Sequence, residues 1–67
     1  MKFKIGDIVQ FNINKYPEFT ENNLFIIIDL KLKKYTYEQA ALCHSLCGLN
    51  KYPREFKIDY LKLVQRP

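Results

Sequence analysis

The fold class is decided by the stretch Leu24-Phe25-Ile26-Ile27-Ile28-Asp29-Leu30-Lys31-Leu32-Lys33. Apolar residues fill its even-numbered positions, and its odd-numbered positions begin apolar and end charged. Because successive side chains of a strand point to opposite faces, this period of two predicts a β-strand. We expect the even-numbered residues to face the core, with Phe25 and Ile27 on the outer face.

Two further strands are predicted near the ends of the chain. The turn signal Gly6-Asp7 precedes good strand formers, which predicts a strand near Asp7–Asn12. Towards the C-terminus, the alternation of Phe56, Ile58 and Tyr60 shifts by one position to Leu61 and Leu63. This shift predicts a bulge or a single helical turn around 58–61, followed by a short strand over 61–64.

Residues 34–50 fit two structures. As a helix, Thr36 would be the N-cap, Gln39 would complete a capping box, and Gly48 would follow the C-terminus. As a strand, Ala40, Leu42 and Leu46 would share one face. Local propensity favours the helix, but tertiary context can override it. We therefore expect an all-β small barrel of about five strands, with a small α+β domain carrying a helix near 36–47 as the alternative.

The length of 67 residues allows a single small domain, 1–67. A chain of this size buries a limited interior, so a deep substrate cleft is not expected. The predicted core consists of Ile5, Ile8, Val9, Phe11, Ile26, Ile28, Leu30, Leu32, Leu42, Leu46, Phe56, Ile58, Leu61 and Leu63.

The opening Phe3-Lys4-Ile5-Gly6-Asp7-Ile8-Val9 resembles the F-K-x-G-D-x-V start of many short bacterial and phage proteins with SH3-like small barrels. The long alternating strand and the turn before the last strand are similar too. The resemblance implies a five-stranded SH3-like barrel. It assigns no functional residue, because the hallmarks of the ligand-binding subfamilies are absent.

The sequence predicts no catalytic, metal-binding or cofactor-binding site. Cys43-His44-x-x-Cys47 offers three zinc ligands, one fewer than a structural site needs. On a strand Cys43 and His44 would point to opposite faces, which does not suit a nucleophile and its base. The longest wholly apolar run, Leu24–Ile28, is too short to span a membrane. Two cysteines without an export signal lead us to expect a cytoplasmic protein.

Our leading hypothesis is a non-catalytic protein-interaction module, of the kind that a small phage or mobile element uses to bind or inhibit a host or viral protein. Phe25 and Ile27, placed near the loop residues Tyr16 and Phe19, would form an apolar patch typical of interfaces. Self-association through the same patch would make a homo-oligomer.

The alternative hypothesis is a nucleic-acid-binding barrel. The net charge is +4, and basic residues cluster near aromatic ones. Phosphate neutralisation together with base stacking is what a single-strand binder needs. The candidate residues are Lys31, Lys33, Lys34, Tyr35, Tyr52, Arg54 and Lys57.

Overall fold

The computed structural model describes residues 3–18, 23–32, 38–46 and 52–67. Its elements are β1 (Ile8–Phe11), β2 (Phe25–Leu32), β3 (Gln39–Ser45), β4 (Arg54–Lys57), a 3₁₀ turn (Ile58–Tyr60) and β5 (Leu61–Gln65). All five strands form one antiparallel sheet in the order β4-β3-β2-β1-β5. The prediction of an all-β fold is therefore confirmed.

The α+β alternative is wrong over the residues that the structure describes. Gln39–Ser45 is a strand because β2 pairs with it on one side and β4 on the other. Two rows of backbone hydrogen bonds outweigh the modest helix propensity of Ala40, Ala41 and Leu42. Thr36 and Gly48, the proposed caps, lie outside the described residues.

The sheet curls because its two edge strands are joined by a very short connection. In a flat five-stranded sheet, β4 and β5 would lie about 19 Å apart. The 3₁₀ turn Ile58–Tyr60 that joins them rises only about 6 Å. The edges must therefore approach each other, as in a small barrel. The turn also confirms the interruption that the phase shift near Ile58 predicted.

Three phenylalanine rings fill the space that this curvature encloses. Phe11 of β1, Phe25 of β2 and Phe56 of β4 contact one another edge-to-face, with ring centroids 4.9–5.6 Å apart. Since β1 and β4 are not neighbours in the sheet, the contact between Phe11 and Phe56 crosses the interior. The small residues Ala41 and Cys43 on β3 leave room for the rings, and both are fully buried.

The predicted inward face of β2 is wrong. Phe25 and Ile27 are each only 1% exposed, whereas Ile28 is 42% exposed. A β-bulge explains how the strand changes phase: Ile27 pairs with Cys43 but Asp29 pairs with Leu42, which leaves Ile28 as the extra residue. Beyond the bulge, Leu30 packs against the core.

The rest of the predicted core divides into three groups. Val9, Phe11, Ile58 and Leu61 are buried, and Leu30 and Phe56 are partly buried against them. Half-buried positions are Ile8, Ile26 and Leu42. Five residues are exposed, contrary to the prediction: Ile5 lies in the turn before β1, Ile28 at the bulge, Leu32 and Leu46 at or just beyond a strand end, and Leu63 on the edge strand β5. Phe3, which was not placed in the predicted core, is buried.

Candidate interaction surfaces

The residues predicted to bind a protein do not form one exposed patch. Phe25 and Ile27 are core residues, so their proposed role at the surface is wrong; the reason is the inward phase of β2 before the bulge. Tyr16 is half-buried and packs edge-to-face on Tyr60, with ring centroids 4.9 Å apart. Phe19 lies outside the described residues.

An apolar strip instead covers the outer face of β1, β2 and β3. Ile8 lies opposite Ile26, and Ile26 lies opposite His44. Leu24 and Leu46 extend the same face, where the Leu46 amide donates to the Leu24 carbonyl at 3.0 Å. Residues directly opposite each other in an antiparallel pair lie on one face of the sheet. We call Ile8, Leu24, Ile26 and Leu46 the outer strip.

The outer strip is accessible at one end and half-buried at the other. Leu24 is 40% exposed and Leu46 50% exposed, whereas Ile8 and Ile26 are half-buried. His44 borders the strip, and its Nδ1 lies 3.2 Å from the carbonyl oxygen of Ser45. The sequence contains the signal for this strip: β2 begins with a run that is apolar at both odd and even positions, so one apolar set had to face outward.

The basic residues predicted to bind nucleic acid are only partly brought together. Lys31 and Lys57 both pair with Ala40, from opposite sides of β3. Arg54 lies over the Phe56 ring, 5.0 Å from its centroid. Tyr52 is 78% exposed, and no aromatic or cation–π contact to it is found among the described residues. Lys33, Lys34 and Tyr35 lie outside the described residues.

A row of two lysine and two tyrosine side chains lies beside the 3₁₀ turn. Lys15 lies 5.4 Å from the Tyr16 ring centroid, and Lys57 lies 5.8 Å from that of Tyr60. The two rings contact each other edge-to-face, so the four residues form one continuous row in the order Lys15, Tyr16, Tyr60, Lys57. The loop is held there by the Asn12 amide, which donates to the Tyr60 carbonyl at 2.9 Å. Sequence reasoning missed Lys15 and Tyr60.

Acidic side chains offset the charge of this Lys–Tyr row. Lys57 forms an ion pair with Glu38, with Nζ 3.2 Å from Oε1. The hydrogen bond that Lys57 donates to Glu38, together with the negative charges of Glu38 and Asp59, raises the pKa of Lys57. Glu38, Lys57 and Asp59 also line a surface groove of about 360 Å³. The groove is therefore of mixed charge.

Asp7, which sequence reasoning did not select, is the one buried charged residue in the part of the chain that the structure describes. Its side chain is 1% exposed and accepts two hydrogen bonds from Arg66, from Nε at 3.1 Å and from Nη2 at 2.9 Å. The Lys4 amide donates a third, at 2.8 Å. The hydrogen bonds from Arg66 lower the pKa of the Asp7 carboxyl, against the opposing effect of burial. The Arg66 pKa is raised in return.

The cysteine and histidine residues of the described chain do not form a reactive pair. Cys43 is fully buried, and this burial raises the pKa of its thiol to about 11. A protonated thiol in the core is a poor nucleophile. His44 lies on the opposite face of the strand, and Cys47 lies outside the described residues. Among the described residues, no group of three or more His, Cys, Asp or Glu side chains could hold a metal ion.

Within the residues that the structure describes, no helix has the length and apolar character needed to cross a bilayer. Comparison with protein-family models, with curated proteins and with solved structures finds no match to this chain.

Proposed function

We propose that this chain is a non-catalytic protein-interaction module that binds its partner through the outer strip. The observation that carries the proposal is the exposure of Leu24 and Leu46 beside Ile8 and Ile26 on a single face. In line with the resemblance of its opening, we place it among the small cytoplasmic accessory proteins of bacteria and phages that bind a host or viral protein.

The strip is a better candidate interface than the rest of the surface because its residues are adjacent. Antiparallel sheets commonly bury one face and present a polar face to water. Here both faces of β2 begin apolar, although only Phe25 and Ile27 are needed for the core. A contiguous apolar patch on a small domain is typical of binding surfaces. Burial of the two leucines in a complex would remove apolar area from water and favour binding.

Site-specific photo-crosslinking tests this proposal. A photoreactive phenylalanine analogue replaces Leu46 in the strip or, as a control, Leu32 at the other end of β2, which is 57% exposed. In extract of the producing cell, we expect a discrete protein adduct from position 46 and none from position 32. Leu24→Asn should weaken the adduct severalfold, whereas Ile13→Asn, a change in a loop, should not. The same adducts from both positions, or adducts with nucleic acid alone, would contradict the proposal.

A second copy of the chain is one partner that the strip could take. Sedimentation equilibrium separates this case from binding of a different protein. A mass that rises with concentration, and that Leu46→Asn restores to the monomer value, would identify self-association. A monomer at all concentrations would leave a different protein as the partner.

A second candidate function is binding of single-stranded nucleic acid by the Lys–Tyr row. Two tyrosine rings in edge-to-face contact, between two lysines, offer both an aromatic surface and phosphate contacts. We rank it second because the carboxylates of Glu38 and Asp59 lower the net positive charge of the surface around Lys57.

Fluorescence anisotropy with labelled single-stranded and double-stranded oligonucleotides across a salt series tests this second function. If Lys15, Lys31, Arg54 and Lys57 contact phosphates, the log–log slope on single strands is about −3. Lys15→Ala with Lys57→Ala should then flatten the slope by about 1.4. The control, Lys4→Ala, lies away from the row and should leave the slope unchanged. No binding at low salt would exclude this function.

A further inference from the structure

The Asp7 carboxylate is held by donors from two parts of the chain. The N-terminal segment supplies the Lys4 amide, and the C-terminal segment supplies the Arg66 guanidinium. The two guanidinium hydrogen bonds run from different nitrogens to different oxygens, which is the bidentate geometry of arginine–carboxylate pairs. The side chain of Asp7 is 1% exposed, whereas that of Arg66 is 40% exposed.

The carboxylate is positioned by contacts that do not involve Arg66. Lys4–Asp7 form a tight turn in which the Asp7 amide donates to the Lys4 carbonyl at 3.1 Å. Gly6 has φ of 94°, a conformation that side-chain-bearing residues rarely adopt. The turn is fixed to β2 on both sides, since the Gly6 amide donates to Ile27 and the Ile27 amide donates to Asp7. The acceptor is thus formed by the turn and β2.

The guanidinium, in contrast, is supplied by the segment that follows β5. Arg66 lies beyond the last paired residue, Gln65, and Pro67 packs near Gly6, with its Cγ 3.7 Å from where a Cβ would stand. The chain therefore places its own arginine in a preformed acceptor, in the way that a ligand occupies a site.

We propose that the Gly6–Asp7 turn is a guanidinium-binding site, that Arg66 is its resident ligand, and that the site takes an arginine side chain from another chain when the segment after β5 leaves it. The chemistry selects arginine. A guanidinium can donate two parallel hydrogen bonds to the two carboxylate oxygens, whereas the ammonium of lysine is a compact point charge without this fork. The site is separate from the outer strip and does not depend on the function proposed for it.

Chemical rescue of a variant without the resident ligand tests the site. Arg66→Ala removes two of the three hydrogen bonds to the Asp7 carboxylate and leaves that from the Lys4 amide, so we expect a lower Tm than that of the unsubstituted chain. N-ethylguanidinium is then added in increasing concentration. It should raise the Tm of Arg66→Ala with the logarithmic dependence on its concentration that is expected of a ligand that binds only the folded state.

Three controls make the result decisive. N-ethylammonium at equal ionic strength should give no such rise, because it lacks the fork. N-ethylguanidinium should give none with Asp7→Asn/Arg66→Ala, which lacks the acceptor, and none with the unsubstituted chain, whose site is filled. If Arg66→Ala does not fold, Arg66→Lys takes its place and a smaller rise is expected, because the lysine ammonium competes for the carboxylate. Equal responses to both cations, or no response to either in the single variant, would overturn the proposal.

Discussion

At the scale of single residues, Asp7 couples the fold to pH. Arg66 lowers the pKa of this carboxyl below its ordinary value of 3.8. Below pH 3.8 the unfolded chain therefore takes up a proton that the folded chain does not yet bind. The contribution of the pair to stability is complete above this pH and is lost as the pH falls from 3.8 through the lowered pKa.

Urea denaturation between pH 7 and pH 2 checks this coupling. The slope of the unfolding free energy against pH measures how many protons the chain takes up when it unfolds. We expect Asp7→Asn to lower this number on the acid side by up to one proton. Asp59→Asn, which removes an exposed carboxylate, serves as the matched control and should retain most of that dependence. If the unfolding free energy of Asp7→Asn fell with acid pH as steeply as that of the unsubstituted chain, the Asp7–Arg66 pair would not control acid stability.

Cys43 is a second residue whose chemistry follows from its place in the core. Its pKa is raised to about 11 from an ordinary 9.0, so at pH 8 the folded chain holds ~100-fold less thiolate than the unfolded chain. In a Cys47→Ser background, we expect a thiol reagent to label the folded protein at least ~100-fold more slowly than the urea-unfolded protein. Equal rates would place Cys43 at the surface.

At the scale of elements, the bulge in β2 makes two neighbouring isoleucines unequal. Ile27 is in the core and Ile28 is the extra residue of the bulge. We expect Ile27→Ala to lower the unfolding free energy by about 2–5 kcal/mol. Ile28→Ala should lower it by less than about 1 kcal/mol, because the side chain is already 42% exposed. The urea midpoints of the two variants measure these losses. A larger loss of stability in Ile28→Ala than in Ile27→Ala would refute the assignment of Ile27 to the core and Ile28 to the bulge.

The elements also show what periodicity can and cannot determine. The alternation in β2 identified a strand, but both of its faces begin apolar, so the pattern fitted either phase. The bulge changes that phase at Ile28, and a hydropathy pattern does not distinguish this residue from Ile26 and Ile27. The phase shift after Ile58 was informative because tyrosine and aspartate there interrupt the apolar series, and the 3₁₀ turn lies at that point.

Contacts between distant residues account for what the sequence left undecided. Residues 39–45 have helix-forming side chains, and only pairing with β2 and β4 makes them a strand. Asp7 and Arg66 are 59 positions apart, so no local pattern joins them. The sequence likewise indicated that one apolar set of β2 faces outward, but only the register placed Ile8 beside that set, opposite Ile26. The chain has two arginines and nine lysines. This rarity of arginine is the sequence feature that could have drawn attention to Arg66.

At the scale of the whole molecule, we expect the curled sheet to unfold as one unit. The rings of Phe11, Phe25 and Phe56 come from three strands and share one core, so neither half of the sheet retains a core alone. Far-ultraviolet circular dichroism, near-ultraviolet tyrosine signals and exposure of Cys43 should therefore report the same urea midpoint. Separate midpoints would show that the edges of the sheet open independently.

The Asp7–Arg66 contact also bears on the order of events in folding. Because 59 positions separate its partners, the contact closes a loop that contains most of the chain. Loop-closure entropy disfavours such a contact until β1 and β5 have paired and brought its ends together. Interactions that form after the folding barrier affect escape from the native state more than its formation. We therefore expect the contact between Arg66 and Asp7 to slow unfolding, and so to lengthen the lifetime of the folded protein, more than it speeds folding.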